Sequence, residues 1–211
     1  KSLTIQEELG DKRGMGASLN NIGIVSFYKG DLDTALDYYE RSLAIFEELG
    51  DKRGMGASLG SFGIVHSHKG DIGKALDYYE RSLEIKEELG DKQGMGNSLN
   101  NIAIISKQTG DYDKALDYYN RSLNIFEEIC DKKKMSAIQN NLGSYYADKN
   151  DLDKALNYFN RSLKIRDKIN DKQGMGLCFS GIGKIYSNQG NMKSALSNYN
   201  RSLSIFTELG N

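Results

Sequence analysis

The chain has 211 residues, and its 28 lysines and arginines nearly balance 29 aspartates and glutamates, which gives a formal net charge of -1. This balance argues against a general binder of nucleic acid or anionic membranes. No segment approaches the ~18 apolar residues that a membrane span needs, and no secretory signal is recognisable. The charge is uneven, since residues 1–130 carry 15 basic and 22 acidic side chains and residues 131–211 carry 13 and 7.

A 40-residue unit repeats without insertion along the chain, and its first complete copy is Asp11–Gly50. Four more copies follow in the same register: Asp51–Gly90, Asp91–Cys130, Asp131–Asn170 and Asp171–Gly210. The segment Lys1–Gly10 matches the tail of the unit, so we expect a partial helix of a preceding repeat there. A fixed period of this length predicts one repeat solenoid over residues 1–211. Because the chain starts within a repeat and without methionine, we also expect it to be a fragment of a larger protein.

Each unit predicts two helices joined by tight turns. Asp11 is a good N-cap because its carboxylate can accept hydrogen bonds from the free amides of the first turn. Gly30 supplies a left-handed residue that ends the first helix, and Asp31 caps the second, which ends at Gly50. We expect about 17 residues per helix, and since the chain has no proline, we expect every helix to stop at Gly or Asn. The apolar residues of the first helix follow the helical period: Met15, Leu19, Ile22 and Val25.

Two glycines, Gly14 and Gly16, fall in the opening turns of the first helix and recur in most units. Each costs about 1 kcal/mol relative to Ala inside a helix. Two explanations are open: the helix begins later than Asp11 indicates, or the glycines permit close backbone approach to the preceding helix. We favour the second.

The spacing Leu19-x-x-Ile22-Gly23, followed by Ala35 and Tyr39, resembles the signature of the tetratricopeptide repeat. The resemblance covers the entire chain. The 40-residue period is similar to that of Pins-type spindle-orientation adaptors, and Leu-Asn-Asn-Ile is similar to kinesin light chain repeats. The resemblance implies an all-α fold, a right-handed solenoid of stacked antiparallel helix pairs whose first helices line a concave groove. It also implies a non-enzymatic scaffold that binds a peptide segment of a protein partner in that groove.

Three pairs of asparagines occupy one place on the first helices: Asn20-Asn21, Asn100-Asn101 and Asn140-Asn141. Asn is a poor residue for a helix interior, so a recurring pair needs a reason. An amide both donates and accepts, so it can pair with the main chain of an extended peptide whatever its sequence. Similar asparagines in peptide-binding tetratricopeptide domains act in this way. The alternative is that one Asn of each pair bonds to the neighbouring repeat.

Other positions on the predicted groove vary between units and would determine specificity. They are apolar or aromatic toward the N-terminal end and more polar toward the C-terminal end. Variation on a solvated face without function is the alternative. The predicted contact residues of this kind are Ile24, Phe27, Tyr28, Ile64, His68, Ile104, Lys107, Ser144 and Lys184.

The remaining motifs do not predict chemistry. Cys130 and Cys178 lie in different repeats without a C-x-x-C spacing, so we expect free thiols in a reducing, cytoplasmic environment. His66 and His68 face different directions on a helix, which argues against a metal site. We therefore expect no cofactor and no catalytic residues. Three glycosylation-like sequons are copies within the repeat, and we interpret them as structural: Asn120-Arg121-Ser122, Asn160-Arg161-Ser162 and Asn200-Arg201-Ser202.

Two alternatives to peptide binding remain open at the level of sequence. The last helix has no polar helix after it, so its apolar residues could stack against another copy in end-to-end self-association. The array could also be a regulatory spacer for an effector domain outside this sequence. The apolar residues of the last helix are Leu196, Tyr199, Leu203 and Phe206.

Overall fold

The computed structural model describes residues 10–210, so the expected partial helix before Gly10 lies outside the described residues. Within this range the chain forms ten α-helices and no strands. Nine of them have 17 residues and α3 has 18, as the sequence predicts. The helices are α1 (Lys12–Tyr28), α2 (Leu32–Glu48), α3 (Lys52–Lys69), α4 (Ile72–Glu88), α5 (Lys92–Gln108), α6 (Tyr112–Glu128), α7 (Lys132–Asp148), α8 (Leu152–Lys168), α9 (Lys172–Asn188) and α10 (Met192–Glu208).

The predicted N-caps are present at almost every helix. The Oδ1 atom of Asp11 accepts a hydrogen bond from the amide of Gly14 at 2.9 Å, and the other repeats reproduce this bond. At the start of α4, Asp71 makes no side-chain cap. Its carboxylate lies instead 3.1 Å from Nδ1 of His66, so one cap is exchanged for a contact with the end of α3.

Left-handed residues end the helices as predicted, with φ of 82° at Gly30 and 59° at Asn150. The expectation that every stop is Gly or Asn is wrong at Cys130, where φ is 57°. Two main-chain bonds hold this turn: the amide of Cys130 donates to the carbonyl of Glu127 at 3.1 Å, and that of Asp131 donates to Phe126 at 3.0 Å. These bonds satisfy carbonyls at the end of α6 and offset the cost of the left-handed conformation.

The chain forms two compact units, and the boundary between Ile105 and Ser106 falls within α5. In the first unit α1 packs with α2, α3 packs with α4, and α2 also contacts α3. In the second unit α7 packs with α8 and α9 with α10, while α8 contacts α9. First helices of neighbouring repeats touch as well, α1 with α3 and α7 with α9. The prediction of an all-α fold of stacked helix pairs is confirmed.

The core of the first unit forms where Tyr39 fills the space between paired helices. Its side chain is 2% exposed and packs with Ala35, Phe62 and Val65. A Cβ atom added at Gly23 would lie 2.5 Å from Cε1 of Tyr39. The small residues at these positions therefore leave room for the aromatic ring. In the second unit, the corresponding core residues are Ala155, Phe159, Cys178, Ile182 and Ile185.

The glycines in the opening turns of the first helices leave room for a side chain of a neighbouring helix. Because α3 begins at Lys52, Gly54 lies inside the helix. A Cβ atom there would lie 2.3 Å from Cδ1 of Phe46, and one at Gly16 would lie 2.9 Å from Cζ of the same ring. The expected close approach to the preceding helix is confirmed for Gly54, whose backbone lies against the ring of Phe46 on α2. At Gly16 the same ring, which is 5% exposed, comes from the helix that follows.

Two repeats replace this phenylalanine by a cation. Arg166 is 6% exposed, and its Nη1 atom lies 2.8 Å from Oδ2 of Asp171. Its Nε atom donates to Oγ of Ser162 at 3.0 Å, so the guanidinium is held by neighbours within the second unit. In the first unit, Nζ of Lys86 donates to Oγ of Ser98 at 3.0 Å. Burial lowers the pKa of the Lys86 ammonium, against the opposing effect of the Asp91 charge.

Candidate peptide-binding surfaces

The first unit brings predicted contact residues of α1 and α3 side by side. The rings of Phe27 and His68 are 4.8 Å apart between centroids, in an edge-to-face arrangement at 88°. Near them Tyr28 is 82% exposed, and Ile24 and Ile64 are 36% and 39% exposed. The predicted apolar and aromatic character of this surface is therefore accessible to a ligand. The predicted residues of α5 in this unit are all partly exposed: Asn100, Asn101 and Ile104.

The two asparagines of the first pair have different environments. Oδ1 of Asn20 lies 3.4 Å from the hydroxyl of Ser61, which occupies in the second repeat the position of Asn21. That hydroxyl also lies 3.2 Å from the carbonyl of Ala57, so its single proton is shared between two acceptors. Asn21 is exposed. Asn20 thus bonds to the neighbouring repeat, and the side chain of Asn21 points to solvent.

In the second unit, Lys107 is engaged by two groups of α7. Its Nζ atom lies 2.9 Å from Oγ of Ser144 and 2.9 Å from Oδ2 of Asp148. The Lys107 side chain is only 18% exposed, so its charge is paired and largely covered. Lys184, on α9, is exposed. The polar character expected for this part of the chain is present, but the ammonium of Lys107 is already paired with a carboxylate.

Asn140 also bonds to the neighbouring repeat. The Sγ atom of Cys178 donates to Oδ1 of Asn140 at 3.3 Å and lies 3.2 Å from Oγ of Ser162. Cys178 is fully buried, and burial raises the pKa of its thiol, so the sulfur carries the proton that it donates. Both cysteines are free, as predicted. Asn100 and Asn141 take part in other interactions within the protein.

The sequence did not predict the partners of these side chains, although their spacing carries a signal. The bond between Asn20 and Ser61 and the ion pair between Lys107 and Asp148 each join residues 41 positions apart. A separation of one repeat plus one residue places side chains of neighbouring first helices next to each other. Searching for complementary polar residues at that spacing would have found both contacts.

Across residues 10–210 no group of three or more His, Cys, Asp and Glu side chains could hold a metal ion. No helix in that range is long and apolar enough to cross a membrane. His66 is 8% exposed and its ring lies against Tyr78, with centroids 5.3 Å apart. Its environment is therefore that of a packed core residue with one polar partner.

Family models match nearly the whole chain. A model described as tetratricopeptide repeat matches residues 1–88 and 94–168, and a second with the same description matches residues 179–207. No curated protein matches the sequence.

Solved structures match the fold at low sequence identity. BtubC (BKLC) from P. vanneervenii is 22% identical with a TM-score of 0.84, over 99% of this chain and 88% of that one. A Rap protein complexed with competence and sporulation factor is 18% identical with a TM-score of 0.81, and the match covers 93% of this chain and 54% of that protein. A putative kinesin light chain from Podosopora anserina, with nearly identical TPR-like repeats, is 14% identical with a TM-score of 0.72, over 92% and 95%. At these identities the likeness shows the fold.

Proposed function

Because the chain belongs to the tetratricopeptide repeat family, a family of protein-interaction repeats, we propose that it is a non-enzymatic scaffold that binds a peptide segment of a partner on its first helices. The observation that carries the proposal is the uncovered apolar surface of α1 and α3. Exposed apolar groups that lie together on a soluble protein are typical of an interaction site. Here Ile24, Tyr28 and Ile64 are exposed beside the paired rings of Phe27 and His68.

The two asparagines of a pair have different roles in this proposal. Asn20 and Asn140 bond to the neighbouring repeat, so they hold adjacent first helices in register. Asn21 is exposed and Asn101 is partly exposed, and each side chain offers a donor and an acceptor to a peptide main chain. Main-chain pairing provides affinity without sequence preference. The variable apolar residues then determine which partner sequence binds.

In the second unit, the paired Lys107 leaves Lys184 as the predicted cation that is exposed. We propose that Lys184 attracts an acidic residue of the ligand, whereas Lys107 and Ser144 fix the position of α5 against α7. The Rap structure with a similar fold contains a bound factor, which supports a binding role for such repeats.

A displayed library of random peptides, selected on the intact chain, would provide a ligand for the test. Its affinity should then be measured by calorimetry for the native chain and for the double variant Asn21→Ala/Asn101→Ala. We expect the variant to lose about tenfold in affinity, because two hydrogen-bonding side chains are removed. N-methylation of the peptide at alternate residues should weaken binding to the native chain more than to the variant.

The matched control is Asn120→Ala/Asn124→Ala, which removes two exposed asparagines from the second helix α6. This control should bind as the native chain does. Equal affinity of the native chain, the Asn21/Asn101 variant and the control would refute main-chain recognition by the first helices.

End-to-end self-association is a second candidate function, favoured by the exposed face of α10. Leu196 and Leu203 are 62% and 65% exposed, and Tyr199 is 39% exposed, while its counterpart Tyr39 is 2% exposed. On α1, Val25 is 53% exposed, although Val65, at the same position of α3, is fully buried. Residues of α10 are thus exposed where a counterpart in an internal repeat is buried, so a second copy could cover them. Sedimentation velocity over a range of concentrations tests this, and Leu203→Asp should abolish any association.

A further inference from the structure

One edge of the fourth repeat carries five lysines. Lys132, Lys133 and Lys134 form the first turn of α7, and Lys164 and Lys168 lie in the last turns of α8. The helices α7 and α8 pack as a pair within the second unit. Four of these lysines are exposed and Lys134 is partly exposed. We refer to the five residues as the lysine edge.

The other repeats show what this edge usually contains. In three of them the first turn of one helix and the last turn of its partner are joined by the same ion pair: Lys12–Glu48, Lys52–Glu88 and Lys172–Glu208. The paired residues are always 36 positions apart. In the fourth repeat the same spacing joins Lys132 to Lys168, so a second lysine stands where the others have a glutamate.

Two further changes add positive charge at the same edge. Lys134 replaces a glycine that is present in each of the other repeats, at Gly14, Gly54, Gly94 and Gly174. Lys164 occupies a position where no other repeat has a cation and where the residues are Ala44, Glu84, Asn124 and Ser204. Lys168, Lys134 and Lys164 therefore each differ from the residues of the other repeats, and each adds positive charge at the same edge.

Nearby carboxylates neutralise only part of this charge. Asp131 caps α7 through its Oδ1 atom at 3.0 Å, and Asp171 is paired with the buried Arg166 at 2.8 Å. Asp167 is exposed on the same turn of α8. No lysine of the edge takes part in an ion pair within residues 10–210. The edge therefore has an excess of uncompensated positive charge.

We infer that the lysine edge binds an acidic segment of a partner protein, whose carboxylates take the place of the missing glutamate. The ion pairs of the sister repeats show that this geometry accepts a carboxylate between the two helix ends. A long polyanion fits less well, because the chain as a whole is nearly neutral, with 28 basic and 29 acidic side chains. The lysine edge is also separate from the proposed peptide surface, since Ser144 lies more than two turns further along α7.

Fluorescence anisotropy with a fluorescein-labelled oligoglutamate peptide tests the inference on the intact chain. Lys168→Glu restores the residue of the sister repeats, and we expect it to weaken binding about fivefold, since an attraction becomes a repulsion. The matched control is Lys193→Asp, an exposed position on α10 where other repeats have Asp33, Asp113 and Asp153. Both variants lower the net charge equally, so only a local effect separates them.

The expected result is the roughly fivefold weakening in Lys168→Glu, native binding in Lys193→Asp and in Asn21→Ala/Asn101→Ala, and weaker binding with added salt. The thermal midpoint of Lys168→Glu should be equal to or higher than that of the native chain, because the ion pair with Lys132 becomes possible. Equal loss in both charge variants, or no binding of oligoglutamate at low salt, would overturn the inference. Stronger binding of single-stranded DNA or of phosphatidylserine vesicles than of oligoglutamate would overturn the assignment to an acidic polypeptide.

Discussion

The hydroxyl of Ser42 donates a hydrogen bond to the main-chain carbonyl of Gly16 at 2.8 Å. The same bond, 26 residues apart, links the paired helices in three more repeats, with distances of 2.7 to 2.9 Å. Ser42 is fully buried and belongs to an Arg-Ser-Leu triplet that is present in every repeat. Two of the bonds involve the sequon serines Ser162 and Ser202, whose side chains therefore have a structural role.

Replacing one such serine should destabilise the fold. In Ser82→Ala the carbonyl of Gly56 loses a partner that donates at 2.7 Å. We expect a loss of about 1 kcal/mol, because a buried hydrogen bond between the paired helices is lost and outweighs the small gain in helix propensity of Ala. Urea unfolding followed by circular dichroism measures it. Ser204→Ala, at an exposed position of α10, is the control and should be at least as stable as the native chain.

Substitution by Ala at two glycines within helices should change the free energy of unfolding in opposite directions. In Gly54→Ala the new Cβ atom would lie 2.3 Å from the ring of Phe46, so we expect a loss of about 1–3 kcal/mol through overpacking. In Gly73→Ala the added atom meets nothing within 4 Å, and we expect a gain of about 0.5–1 kcal/mol. The midpoints of urea unfolding show whether each variant is less or more stable than the native chain. A stabilising effect at Gly54 would contradict the close contact with Phe46.

Replacing the buried Arg166 by Phe should leave the stability of the fold nearly unchanged, whereas replacing its partner Asp171 by Ala should lower it. In Arg166→Phe the new ring can lie over Gly174 as Phe46 lies over Gly54, and Asp171, 21% exposed in its side chain, can be solvated. We expect a stability within about 1 kcal/mol of the native chain. In Asp171→Ala the guanidinium remains buried without its carboxylate, and we expect a loss of about 3 kcal/mol.

Guanidinium unfolding would mask such charge effects, so urea is the denaturant for this comparison. Equal losses in the two variants would show that the ion pair itself stabilises the junction between the fourth and fifth repeats. That outcome would contradict the expectation that an aromatic ring can replace it.

The chain should lose stability in alkaline solution through two buried tyrosines. Tyr79 and Tyr119 are 4% and 1% exposed, and burial raises the pKa of both phenols above the ordinary value of about 10. Above about pH 10 the unfolded chain therefore releases protons that the folded chain retains, and the free energy of unfolding falls as pH rises. Below that pH both states hold the protons and the effect is absent.

The double variant Tyr79→Phe/Tyr119→Phe should show a shallower loss of stability above about pH 10 and little change near neutral pH. Phe159 already occupies the same position in the fourth repeat, 4% exposed, so the ring is tolerated. The control is Tyr28→Phe, an exposed residue that should leave the profile unchanged. Urea midpoints measured across the alkaline range test this, and a profile of the double variant identical to that of the native chain would contradict the prediction.

The helices and their ends could be predicted because each depends on residues close in sequence. Asp11, Gly30 and Asp31 begin or end helices through contacts within their own turns. The same kind of turn recurs every 40 residues, so the sequence shows it several times. The contact of Phe46 with Gly16 and Gly54 could not be found in this way, since it depends on how three helices meet.

The same limit applies to the candidate surface. Local pattern identified Asn20 and Asn21 as notable but could not distinguish the one that bonds to Ser61 from the one that is exposed. That difference depends on the neighbouring repeat, where Ser61 of α3 lies beside Asn20. Lys107 is similar, because whether its ammonium is paired depends on Asp148 of the next repeat.

The exchange of Phe46 for Lys86, and of Phe126 for Arg166, means that the repeats are not interchangeable building blocks. Aromatic and cationic residues alternate at this junction, so the structural period is two repeats even though the sequence period is one. Deleting the third repeat alone would place Lys86 before Lys134 and Ile138, so its ammonium would lose Ser98 and face another lysine. Deleting two neighbouring repeats would join Lys86 to Asp171, or Phe46 to Lys134, and would keep each kind of junction. Shortened or lengthened versions of this protein should therefore fold best in steps of 80 residues, twice the 40-residue unit.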